Sequence, residues 1–113
     1  MQINDYSTQA ISTLLGNHET SDMSPTLISQ VFGLVGESGE VAEKFKKLIR
    51  DKQGRITDED KQEILKELGD ILWYINAVAN LLDSSLEEVA LTNLDKVLSR
   101  KARGKTQGSG DNR

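Results

Sequence analysis

Two long runs of apolar residues at helical spacing, separated by one short break, constrain this chain more than any other feature. The first opens at Ser24-Pro25, a hydroxyl N-cap followed by the chain's only proline at the first helical position. It carries Leu27, Val31, Leu34, Val41, Phe45 and Leu48 to about Asp51. Residues 51–55 break the pattern, with Gly54 as the stop. Thr57 then caps a second run, Asp58 to about Leu82, carrying Ile64, Leu68, Ile71, Ile75 and Leu82. Two helices joined by so short a turn pack antiparallel as a hairpin. A shorter helix precedes them, from about Asn4 to Leu15, ended by Gly16 and a polar stretch to Met23. Another follows from about residue 85 to 100, where Ser84 and Ser85 each have a Glu three residues later. No period-2 strand and no internal repeat is present. The expectation is an all-α domain over residues 1–103. Its core is an antiparallel hairpin, 24–82, in a four-helix-bundle-like arrangement, and a Gly-rich basic tail, 104–113, follows.

At 113 residues the chain has room for one compact domain, and 36% apolar residues give it a thin core. Self-association to complete that core is expected. The absence of cysteine excludes disulfides, thiolate metal sites and thiol nucleophiles. A single histidine, His18, excludes multi-histidine zinc sites and argues against a Ser-His-Asp arrangement; its polar surroundings suggest no chemical role. The longest apolar-looking run, Ile71 to Leu82, is too short to span a bilayer and contains Asn76 and Asn80. With no basic-then-apolar N-terminal segment, a cytoplasmic protein without membrane partners is expected. The net charge of −4 is unevenly placed. Residues 99–113 hold five basic groups and one acid, a local +4 that leaves −8 for residues 1–98. Such a tail is either a solvated terminus or a segment folded over an anionic ligand held by the body. Nucleic acid is disfavoured as a partner, because the body repels phosphate and aromatics make up only 4%.

The acids of the two long helices fall in a matched pattern: Glu37 and Glu40 on the first, Glu67 and Asp70 on the second. Residues three apart share a helix face. In a hairpin, Glu37 lies level with Asp70 and Glu40 with Glu67, both pairs being symmetric about a point between Gln53 and Gly54. All four carboxylates then sit at one level, roughly 20 Å from the turn at ~1.5 Å per residue. Their angular positions agree. At about 100° per residue, with Leu34 or Ile64 as zero, Glu37 and Glu67 fall near 300°, Glu40 and Asp70 near 240°. The acids therefore occupy the same border of both apolar arcs and face one side of the hairpin. An acidic pair on one helix is usually a solvated face, and Lys44 and Lys47 on the same border are available as salt-bridge partners. Four converging carboxylates are different, because without a cation they repel one another. Oxygen ligands alone select Mg²⁺, Mn²⁺ or Ca²⁺, and Mg²⁺ keeps waters for a substrate phosphate. That is the chemistry of nucleotide phosphate cleavage.

At these residues the sequence resembles the MazG-like nucleotide pyrophosphohydrolases, an all-α family. The matching segments are residues 33–41 (GLVGESGEV), 67–74 (ELGDILWY), 93–100 (NLDKVLSR) and the tail 108–113 (GSGDNR), so the likeness runs from about residue 28 onward. The resemblance implies Mg²⁺-dependent hydrolysis of a nucleoside triphosphate between its α and β phosphorus atoms, Mn²⁺ being a possible substitute. It also implies metal binding by Glu37, Glu40, Glu67 and Asp70, and homodimers or homotetramers. The family pattern is often E-E-x-x-E; here Gly36 takes the first position, which leaves open the number of ions and the identity of the base. Glu37 is the candidate base.

Other residues carry two readings each. Tyr74, on the acidic border one turn after Asp70, either contacts a base or sugar or is a boundary tyrosine. Lys47 either holds a phosphate or forms a surface salt bridge. Trp73, opposite the hairpin core, is expected to pack against the first helix, the fourth helix or another subunit. Asn93, Lys96 and Arg100 share one face of the last helix as a substrate-oxygen row or a solvated stripe, the resemblance favouring the former. Arg103 and Arg113 reach outer phosphates if the tail folds back. Gly33, Gly36, Gly39 and Gly69 cost ~1 kcal/mol each in helix interiors relative to Ala, and three of them lie near the acids, consistent with close helix approach or ligand access. The competing functions are a phosphoribosyl-ATP pyrophosphohydrolase, a nucleotide-binding regulator without turnover, and a non-catalytic helical interaction module.

Overall fold

The computed structural model describes residues 1–16 and 23–113, so His18 lies outside the described residues. Four helices form: α1 (Ile3–Ile11), α2 (Pro25–Lys52), α3 (Asp58–Leu81) and α4 (Leu86–Ala102), with no strand among the described residues. The chain is all-α.

Local chemistry sets most of the boundaries. Ser24 caps α2 by accepting a hydrogen bond from the Leu27 N–H at 3.1 Å, and Pro25 stands just inside. At its far end Gln53 and Gly54 adopt left-handed backbone, φ 52° and 80°, which lets the Gly54 N–H close on the Leu48 carbonyl at 3.0 Å. Thr57 and Asp60 cap α3 reciprocally, each side chain accepting from the other's N–H at 3.1 and 3.0 Å. Ser85 accepts from the Glu88 N–H to start α4. The first helix is shorter than its pattern implied, stopping at Ile11 rather than Leu15. The Ser12 and Thr13 hydroxyls donate back to the Gln9 and Ala10 carbonyls, giving the backbone an alternative to another helical turn.

Packing concentrates at one end. Helices α2 and α3 touch in a sequence that steps down one as it steps up the other: Lys52 with Asp60, Lys44 with Glu67, Gly33 with Tyr74. Beyond that last contact, Leu14, Leu27 and Leu81 form a buried cluster, with Ile11, Trp73 and Val78 packed against it. Trp73 is claimed by the segment after α1, its indole N–H donating to Thr13 Oγ1 at 2.8 Å. Asn76, fully buried, accepts from the Ser7 hydroxyl and donates to the Ser7 carbonyl, which pins α1 to α3. Helix α4 meets α1 and α3, but not α2 among the described residues. The bundle is therefore not closed within one chain. Its radius of gyration is 16.9 Å, against about 13 Å for a compact 100-residue domain. Several residues of the apolar pattern remain open to solvent for the same reason, among them Val31, Phe45 and Leu68. No helix among the described residues is long and apolar enough to cross a membrane.

Candidate metal centre

Three of the four expected carboxylates meet. Glu37 of α2 and Glu67 and Asp70 of α3 each offer an oxygen, and these oxygens all lie within 4.8 Å of one another. The helical period delivers them: Glu67 and Asp70 stand on one face of α3, and α2 lies against α3 so that Glu37 comes within reach of both. Glu40 is not one of the three. It is exposed and lines a neighbouring groove of about 230 Å³ with Lys44, Lys47, Asp60 and others.

The cluster is electrostatically uncomfortable. The Glu37 carboxyl is pushed above its ordinary range, first by partial burial and then by the charges of Asp70, Glu67 and Glu40. Lys44 gives partial compensation, its ammonium 3.7 Å from Glu67. Tyr6 of α1 also feels the cluster: partial burial and the Asp70 charge raise its phenol pKa. Nothing in the linear sequence announced Tyr6, because α1 is brought to α3 by long-range contacts, the Ser7–Asn76 bonds and the buried cluster beside them.

Glu37, Asp70, Trp73 and Tyr74 line a cavity of about 360 Å³. Tyr74 packs its ring directly on α2 at Gly33, where an added Cβ would stand 2.1 Å from a ring carbon. It meets Trp73 edge to face, the centroids 5.0 Å apart. Close helix approach accounts for Gly33 alone; at Gly36, Gly39 and Gly69 an added Cβ would meet nothing within 4 Å. Gly36, where the family often has a carboxylate, therefore faces open space. Lys47 is exposed on the groove beside Glu40, and its charge adds to the hydrogen bond from Arg50 that chiefly lowers the Asp51 carboxyl's pKa.

The α4 residues do not line the cavity of Glu37 and Asp70. Asn93 and Lys96 border a separate depression of about 490 Å³ with Ser84 and Glu88. Lys96 donates to Asp111 of the tail at 3.2 Å, and Arg100 is buried beneath the same segment. Arg103 bonds to Ser99 Oγ and to the Arg113 carbonyl. The tail thus folds back, but onto α4; Arg113 spends its guanidinium on the carbonyls of Lys105, Thr106 and Gly110.

A model of the MazG nucleotide pyrophosphohydrolase domain matches residues 26–104. The chain belongs to the MazG family. It is also 56% identical over 81 residues to the "Gene 37 protein" of Mycobacterium phage L5, an overlap of 72% of this chain and 71% of that one. No solved structure matches the chain significantly. The MazG match covers α2 from its second residue, α3, α4 and every carboxylate of the cluster, and ends at Gly104, where the tail begins. The three converging carboxylate oxygens could hold a hard divalent cation.

Proposed function

We propose that this MazG chain hydrolyses nucleoside triphosphates, ribo- or deoxyribo-, at the α–β phosphoanhydride, releasing the nucleoside monophosphate and pyrophosphate. The observation that carries the reading is the approach of the Glu37, Glu67 and Asp70 oxygens to within 4.8 Å in a MazG domain. On this reading α2 and α3 act as an antiparallel hairpin that presents those carboxylates to Mg²⁺, with Mn²⁺ able to substitute and Glu40 adding charge from the side. The divalent ion supplies neutralisation of phosphate charge and acidification of a water. The protein's own groups do the rest. Glu37, at the mouth of the cavity it shares with Tyr74, receives the proton of the attacking water. Tyr74, its ring seated on Gly33, contacts the base or sugar from the cavity side. Lys47 and the α4 row of Asn93, Lys96, Arg100 and Arg103 hold phosphate oxygens.

Incubation with a nucleotide panel and Mg²⁺ tests the reading. Pyrophosphate release is expected, and Glu67→Gln should lower it by more than about a hundredfold, since removing even a group behind a metal ligand typically costs 10–100-fold. Orthophosphate as the product, or full turnover by the variant, would defeat the assignment. Inclusion of phosphoribosyl-ATP in the panel separates that related activity.

The active form is proposed to be a homodimer or homotetramer. Phe32, Val35 and Leu65 are 70%, 66% and 57% exposed. At about 100° per residue they fall on the apolar border away from the carboxylates. One side of the α2–α3 layer is thus acidic and the other apolar, in a chain too open to close its own bundle. A second copy is the occupant that supplies the missing helices. Phe32→Glu should shift the sedimentation coefficient to that of a monomer; an unchanged value removes this face from consideration.

A further inference from the structure

The tail beyond the MazG match is organised around the cations of α4. Asp111 Oδ1 lies 3.2 Å from Lys96 Nζ and 3.6 Å from Arg100 Nη2. The same Nη2 donates to the Gly110 carbonyl at 3.3 Å and to the Asp111 carbonyl. Arg113 ties the segment into a closed unit by donating to the carbonyls of Lys105, Thr106 and Gly110 at 3.1, 3.0 and 2.7 Å. Arg103 adds a bond to the Arg113 carbonyl at 2.9 Å. Where this unit leaves α4, Gly104 takes a left-handed conformation, φ 68°.

We infer that residues 104–113 form a strap whose Asp111 carboxylate occupies the Lys96–Arg100 cation pair in the place of a phosphate, so that a polyphosphate engages the pair by displacing it. The inference rests on the proposed role of Lys96 and Arg100 as substrate groups. Three observations carry it. The Arg100 side chain is only 8% exposed, and its Nε is a buried donor with no acceptor among the described residues. A guanidinium in that state is under-supplied with oxygens, and a tetrahedral phosphate brings more of them than one carboxylate edge does. The Asp111 side chain is 82% exposed, so it can swing into solvent without opening the core. Finally, it is the only acid among residues 99–113, whose net charge is +4, and the Lys96 ammonium, more than Arg100, holds its carboxyl below the ordinary range. The strap is a tethered competitor rather than a third phosphate-binding arm, because Arg113 is already committed to the strap's own carbonyls.

Calorimetric titration of the full chain with inorganic tripolyphosphate, without divalent metal, tests this apart from catalysis. Asp111→Asn and Arg113→Ala should each bind roughly two- to fivefold more tightly than the wild type, the span expected when an exposed ion pair stops competing. In the wild type, saturating tripolyphosphate should speed tryptic cleavage after Lys105. Unchanged or weaker affinity in either variant, or cleavage that does not respond, overturns the strap. If the variants bind more tightly while no nucleotide releases pyrophosphate, the strap stands and the hydrolase reading falls. Turnover in the wild type with unaltered tripolyphosphate binding in the variants gives the converse.

Discussion

The carboxylate cluster between α2 and α3 and the cation row of α4 are opposite in more than sign. Among the described residues, Glu37, Glu67 and Asp70 are held together with a single ion-pair partner, Lys44, which lies 3.7 Å from Glu67. Lys96 and Arg100 are met by Asp111 and two tail carbonyls of the same chain. The first region is assembled by rigid helix packing, so its repulsion cannot relax by moving a loop. The second is assembled by a ten-residue segment that, on the strap inference, can. Like charge held on two packed helices offers a place for an external ion, whereas a cation pair neutralised by an exposed acid of the tail is, on the strap inference, suited to exchange.

The contrast can be broken most directly with metal. Mg²⁺ should raise the melting temperature of the wild type by several degrees, since a ligand at a hundred times its Kd stabilises by about 2.7 kcal/mol. Glu37→Gln and Asp70→Asn should lose most of that shift, while Lys96→Gln should keep it. A shift that survives both carboxylate variants would place the ion elsewhere. A smaller effect sharpens the claim that rigid packing holds the cluster. Gly33→Ala drives a methyl into the Tyr74 ring, and overpacking of this kind costs about 1–3 kcal/mol. Set against the ~1 kcal/mol gained in helix propensity, chemical denaturation should show a modest net loss together with a reduced Mg²⁺ response. Gly36→Ala, into open space, should instead be neutral or stabilising. The smallest effect concerns a satisfied ion pair at the turn end of the same helices. The Thr57 backbone and the Lys52 ammonium hold Asp60 at a pKa of about 2, against an ordinary value of 3.8. A depressed carboxyl contributes stability that is present above 3.8 and lost as pH falls from there toward 2. The difference in melting temperature between wild type and Asp60→Asn should therefore shrink across that window, and less steeply in high salt. A constant difference would mean that Asp60 acts through shape rather than charge.

The parts legible in the sequence were those governed by short spacings. Ser24-Pro25, Thr57 and Ser85 start helices where they do because each satisfies orphan N–H groups within three residues. The i, i+3 spacing of Glu67 and Asp70, and the level position of Glu37, follow from helical period and a turn at Gly54. The end of α1 differs from its apolar pattern because the Ser12 and Thr13 hydroxyls compete with the helix through bonds that apolar periodicity does not register.

What only the tertiary structure decided depends on distances between residues far apart in the chain. Glu40 matched Glu67 in level and border, yet the packed helices leave it in the adjoining groove. Tyr6 reaches Asp70 because α1 is fixed to α3 at Asn76, a contact across 69 positions. The tail's charge pattern left open whether it floats or folds; the answer came from Asp111 and Arg113 finding partners on and after α4. Helical period fixes which groups share a face, because that geometry is local and repeats every 3.6 residues. Which faces then meet, and which charges are left without a partner, is a property of the packed chain alone.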